Sequence, residues 1–96
     1  MHVTFNELAE RELIDAAAYY EVEQPGLGEA FIRTVEQCTA AIVALPSAGT
    51  PVYGAVRRRL CQRFPYALLY KATNTEIRIL AVMNLRRRPG YWVGRA

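Results

Sequence analysis

The chain switches between two hydrophobic periods. Apolar residues at Ala9, Leu13, Ala16, Ala17 and Tyr20 recur at steps of three and four and predict a helix beginning at Glu7. Asn6 is a good N-cap, and Glu7 and Glu10 suit the positive end of the helix dipole. The opposite face, with Glu7, Arg11, Asp15 and neighbouring charges, is expected to be solvated. Pro25-Gly26 interrupts the pattern. A second stripe of Leu27, Phe31, Val35, Cys38, Ile42 and Leu45 predicts a helix from about Leu27 to Leu45, stopped by Pro46. Two helices joined by so short a turn make an αα-hairpin. His2–Phe5 reads as a short strand before it, and Ser47–Gly54 as a loop rich in Gly and Pro.

After Gly54 the period falls to two. Ala55–Arg63 reads as a strand with Val56 and Leu60 on one face and Arg57, Arg59, Cys61 and Arg63 on the other; Arg58 breaks the pattern. Tyr66–Lys71 is a second strand and Ala72–Thr75 a polar turn. Glu76–Met83 is a third, with Ile77, Ile79, Ala81 and Met83 on one face. Short connections make these three an antiparallel meander. The order β-α-α-β-β-β predicts an α+β domain, with the N-terminal strand and helical hairpin packed on a small antiparallel sheet. The 96 residues suit one domain, 1–96.

Composition narrows the function. The longest apolar run, Ala40–Leu45, is far short of the roughly 20 residues that cross a bilayer, so no membrane association is expected. The first dozen residues predict no secretory signal, and the two cysteines read as thiols in a reducing cytoplasm. The net charge of +3 conceals a division. Residues 1–36 carry eight acids and two bases, and residues 37–96 carry ten bases and one acid, net charges of −6 and +9. Of 12 bases only Lys71 is a lysine. Arginine's planar fork pairs bidentately with phosphate and carboxylate, as a recognition surface requires.

One histidine, His2, and one serine, Ser47, leave no Ser/His/Asp or Cys/His arrangement for nucleophilic catalysis. No spacing fits metal ligands, so neither metal nor cofactor is expected. What remains is arginine: Arg57, Arg59 and Arg63 on the first meander strand, and Arg86, Arg87, Arg88 and Arg95 flanking Tyr91 and Trp92 in the tail. Basic groups interleaved with aromatics bind phosphates and stack bases, or dock an acidic protein segment. A basic face with no partner is the plain alternative, and Trp92 read alone is a tail aromatic packed on the open sheet face.

Four motifs in order carry a resemblance: Tyr19–Tyr20, Pro25–Gly28 (PGLG), Phe64–Tyr66 (FPY) and Arg86–Arg95 (RRRPGYWVGR). Together they resemble toxins of the RelE/ParE superfamily, the toxin halves of type II toxin–antitoxin operons. The resemblance covers essentially the whole chain and implies an αα-hairpin on an antiparallel sheet. RelE-like members cut mRNA in the ribosomal A site, whereas ParE-like members poison DNA gyrase and have no accepted nuclease site. In RelE a catalytic arginine follows the aromatic that opens the middle strand; the corresponding residue here is Ala67, which cannot compensate phosphate charge. Many relatives carry His where this chain has Asn84, which removes a general acid/base. The resemblance therefore implies a ParE-like gyrase inhibitor held inactive by a cognate antitoxin with an acidic, amphipathic C-terminal segment. The alternatives are a ribosome-dependent mRNA endonuclease drawing on Arg58, Arg86, Arg87 and Tyr91, and a degenerate member that binds antitoxin without toxicity. As a toxin, the chain is expected to use Arg57, Arg59, Arg63, Arg86, Arg87, Arg88, Tyr91, Trp92 and Arg95 to bind target or antitoxin.

Overall fold

The structure, a computed structural model, describes residues 1–96. Strand β1 (His2–Phe5) leads into helices α1 (Glu7–Glu23) and α2 (Leu27–Ala44), and a short 3-10 turn follows at Pro46–Ala48. Four strands complete the chain: β2 (Thr50–Tyr53), β3 (Val56–Leu60), β4 (Tyr66–Ala72) and β5 (Glu76–Asn84). The Asn6 side chain accepts from the amides of Leu8 (2.7 Å) and Ala9 (3.3 Å), satisfying donors that a helix start leaves free. At the hairpin turn the Glu21 carboxylate accepts from the amides of Gly26 (2.9 Å) and Gly28 (3.0 Å). Gly28 lies against the Ala17 carbonyl with no room for a Cβ, so the PGLG motif is built for close helix packing. The hairpin covers one face of a five-stranded sheet of order β1-β5-β4-β3-β2.

The α+β architecture agrees with the sequence expectation, with four local corrections. Thr50–Tyr53, expected as loop, forms edge strand β2 and pairs antiparallel with β3. The sheet is mixed, because β1 lies parallel to β5. The first meander strand ends at Leu60, and Arg63 sits beyond it in a turn at φ 72°, off the face that carries Arg57 and Arg59. Finally, β5 does not alternate throughout. Leu69 pairs with Ala81 but Tyr70 with Ile79, so Leu80 is an extra residue bulged out of the ladder. Ile77, Ile79 and Val82 therefore face the helices, while Leu80 and Ala81 pack on the other face and Met83 packs against them there.

Two apolar clusters result. The larger lies under the hairpin and includes Phe31, Val35, Ile42, Leu68, Tyr70, Ile77 and Ile79. The rings of Tyr20, Phe31, Phe64 and Tyr66 meet there at centroid separations of 4.8–6.3 Å, so the FPY motif and one of the paired tyrosines are core elements. Fully buried Tyr70 donates its hydroxyl to the Pro46 carbonyl (2.6 Å) and accepts from the Gly49 amide (3.2 Å), pinning the 3-10 turn to the sheet. The smaller cluster, Val56, Leu69, Leu80, Ala81 and Trp92, covers part of the second face. Its lid is the tail, 85–96, which folds back across the sheet.

Candidate functional site

The tail is basic and aromatic, and its order begins at Asn84. The Asn84 side chain accepts from the Arg86 amide (2.9 Å), and its carbonyl accepts from the Arg87 amide (2.9 Å), which turns the chain off the end of β5. Further turns follow from Arg88 to Tyr91, Gly90 to Val93 and Trp92 to Arg95. Gly90 adopts φ 78°, a conformation that glycine reaches without strain.

The anchor of this tail is Glu12. On α1 it stands three residues after Ala9 and four before Ala16, within the buried stripe rather than opposite it. Its carboxylate accepts from the Tyr91 hydroxyl (2.7 Å) and from the Arg95 guanidinium (2.9 and 3.2 Å), with the ion-pair side chains only 17% and 12% exposed. Strand β1 stops at Phe5 whereas β5 runs on to Asn84. Beyond that stop, the Leu80 carbonyl accepts from Arg95 (3.1 Å) and the Val82 amide donates to Glu12 (3.1 Å). Two side chains thus stand in for a neighbouring strand. Burial first, and then the Glu12 carboxylate, push the Tyr91 phenol pKa well above its ordinary 10.0; Arg95 and Arg87 pull it partly back. Two cations lie against the Tyr91 ring, Arg87 at 4.0 Å and Arg95 at 5.0 Å from its centroid.

A testable consequence concerns alkaline stability. A tyrosine whose folded pKa is raised contributes stability that is fully present below the unfolded value and is lost as pH climbs through the folded one. Tyr91→Phe is expected to cost about 1.5–3 kcal/mol at neutral pH, the value of a hydrogen bond to a charged acceptor. Urea melts should show the gap between wild type and Tyr91→Phe narrowing as pH rises above the ordinary tyrosine value of 10.0. A gap that stays constant would mean that the phenol is not held by Glu12.

The sequence candidates divide accordingly. Arg95 is committed to Glu12, and Trp92, 6% exposed, is packed into the sheet. Arg57 donates to the Gly49 carbonyl at 2.8 Å, and Arg63 lies over the Phe64 ring at 5.3 Å. Arg86, Arg87 and Arg88 are exposed and form no ion pair. Two depressions meet at Arg87. One is a cleft of about 550 Å³ between α1 and the tail, lined by Asp15, Tyr19, Tyr66, Asn84, Arg86 and Tyr91 among others. The other is a groove of about 340 Å³ on the second sheet face, with Val52, Tyr53, Met83, Leu85 and Trp92 on its walls and Arg58 at its side. Ala67 is fully buried and paired with Met83, so the position expected to hold a nuclease arginine is closed to solvent. Glu12 is the site residue that the sequence reading missed; a charge inside an apolar helical stripe was its signal.

Residues 3–89 match the family described as ParE toxin of type II toxin-antitoxin system, parDE. The chain belongs to the ParE toxin family. Among curated protein sequences nothing matches it. Among solved structures, a chain from the chromosomal ParDE TA system of P. aeruginosa is similar, with a TM-score of 0.76 and 22% identity. That likeness, over 88% of this chain and 95% of the other, shows a shared fold. The family match runs from Val3 in β1 through the hairpin and the other four strands and stops at Pro89, so Glu12 lies inside the ParE region while Tyr91, Trp92 and Arg95 lie past its end. No helix of this ParE-family chain is long and apolar enough to cross a membrane.

Proposed function

We propose that this toxin acts by binding rather than by hydrolysis, that its target is DNA gyrase, and that a cognate antitoxin neutralises it. One observation carries the reading: Glu12 occupies the Tyr91 phenol and the Arg95 guanidinium, while Arg86–Arg88 project from a fixed tail with no ion pair. A metal-free ribonuclease needs a proton-transfer group and cations free to meet a phosphate in its transition state. A phenol that donates to a carboxylate, with its pKa raised, is poorly suited to proton transfer. An inhibitor that binds needs only an ordered display of arginines and aromatics.

The second-face groove suits the antitoxin. Its floor is apolar, and Arg58 and Arg87 flank it. An acidic, amphipathic segment folding onto it would bury apolar area and form charge-assisted hydrogen bonds that offset its ordering entropy. The ribonuclease reading draws on Arg86 and Arg87 lining one cleft with Tyr66 and Tyr91. Purified toxin added to gyrase, ATP and relaxed plasmid is expected to lower supercoiling or trap cleaved DNA, and the antitoxin segment to restore it. Codon-positioned cuts in mRNA on purified ribosomes, with gyrase unaffected, would reverse the assignment. Inactivity in both assays, with the antitoxin still bound, would mark a degenerate member.

A further inference from the structure

The two cysteines, 23 positions apart in sequence, come together in the fold. Cys38 lies on the buried face of α2, and Cys61 follows the last residue of β3; both pack into the cluster under the hairpin. The Cys38 sulfur is 3.9 Å from the carbonyls of Arg59 and Leu60, the two residues that precede Cys61. Both thiols are free, and Cys61 packs against the same buried cluster that contains Cys38. A small surface pocket of about 140 Å³, walled by Thr34, Gln37, Arg59 and Gln62, has Cys38 among its lining residues. That arrangement combines a second thiol, a nearby cation and a route for a small solute.

We propose that Cys38 and Cys61 are a redox modification site, converted by hydrogen peroxide into an intramolecular disulfide that staples α2 to the turn between β3 and β4. Cys38 reacts first. The neighbouring Cys61 thiol lowers its pKa, burial opposes this, and the Arg59 guanidinium lowers it further, whereas Cys61 is held protonated. The Cys38 thiolate attacks one peroxide oxygen and the O–O bond breaks. The leaving hydroxide takes up the proton that the Cys38 thiol released on ionising and departs as water, and Cys38 becomes a sulfenic acid. The Cys61 sulfur then attacks the Cys38 sulfur; the S–S bond forms, and the hydroxyl leaves with the Cys61 proton as a second water. Two thiols are oxidised and one peroxide is reduced to two waters. The closed loop restricts the unfolded chain, so the oxidised protein should resist unfolding.

The probe is hydrogen peroxide acting on the purified full chain. The intact mass should fall by two hydrogens, and a non-reducing peptide map should join the Cys38 and Cys61 peptides. The melting temperature should rise by about 5 °C or more and return when dithiothreitol is added. In Cys61→Ser, whose substituted side chain is half-exposed, the Cys38 sulfenic acid should persist and be captured by dimedone. A trivalent arsenical that bridges paired thiols should bind the reduced wild type but not Cys61→Ser. Oxygen added separately to each sulfur, disulfides only between molecules, or thiols left unreacted would each overturn the proposal.

Discussion

Glu12→Ala is expected to cost about 3 kcal/mol and to lower the melting temperature by roughly 10–20 °C. The substitution removes one small side chain from α1 and strands three groups at once. Arg95 loses its carboxylate partner, the Tyr91 hydroxyl its acceptor and the Val82 amide the bond that replaced a strand neighbour. Alanine itself favours the helix, so the loss comes from polar groups left unpaired in a site only 12–17% exposed. Glu12→Gln keeps an acceptor for Val82 and should cost about half as much. Replacing both partners with apolar groups, as in Glu12→Leu with Arg95→Met, should recover much of the loss, because no buried charge is then left alone. Thermal melts followed by circular dichroism measure all three. If Glu12→Ala melts within two or three degrees of wild type, the tail is anchored by something other than this carboxylate.

The elements that the sequence made legible are those with an apolar period long enough to count. The hairpin could be read because Ala9–Tyr20 and Leu27–Ile42 repeat at three and four, and buried Phe31, Val35, Cys38 and Ile42 lie where that period puts them. β2 could not, because all four of its residues are exposed and one is Pro51, which leaves no alternation to detect. The Leu80 bulge was hidden for the opposite reason. In Ile77–Val82 almost every residue is apolar, so a change of phase leaves the pattern unaltered. The parallel seat of β1 depends on a partner more than 70 residues away.

The candidate site was legible in composition but not in division of labour. Nothing in RRRPGYWVGR separates arginines that meet solvent from the one that meets Glu12, or says that Trp92 closes a cluster with Val56, Leu69 and Leu80. Tertiary contacts decide that, because a guanidinium is equally suited to a carboxylate of its own chain and to one of a partner. The charge division of the chain is partly explained by the same contacts. The acidic N-terminal third supplies the carboxylate that holds the basic C-terminal tail, and the other arginines of that tail, Arg86, Arg87 and Arg88, are left without an ion pair.

Charge reversal at those remaining positions should therefore separate function from folding. Arg87→Glu with Arg88→Glu is expected to abolish growth inhibition while the protein stays folded. Both side chains are exposed, and neither is in an ion pair. The structural loss is the stacking of Arg87 on Tyr91 at 4.0 Å, worth about 0.5–1 kcal/mol at an exposed site. At a bound interface the same change converts an attraction into a repulsion of several kcal/mol, so affinity for an acidic or phosphate-bearing target should fall at least about 100-fold. Arg87 is the more sensitive of the two positions, because it stands where the cleft and the second-face groove meet. Tyr91→Phe is the matched control. It keeps the ring beneath Arg87 and loses only the phenol, so a binding toxin should retain its growth inhibition, whereas a nuclease that uses the phenol should lose it. Growth assays of induced cells, paired with circular dichroism of the purified variants, read both outcomes. A folded double-Glu variant that still arrests growth would move the toxic surface to the β3 side, where Arg58, Arg59 and Arg63 are the cations not bonded to a carbonyl or a carboxylate.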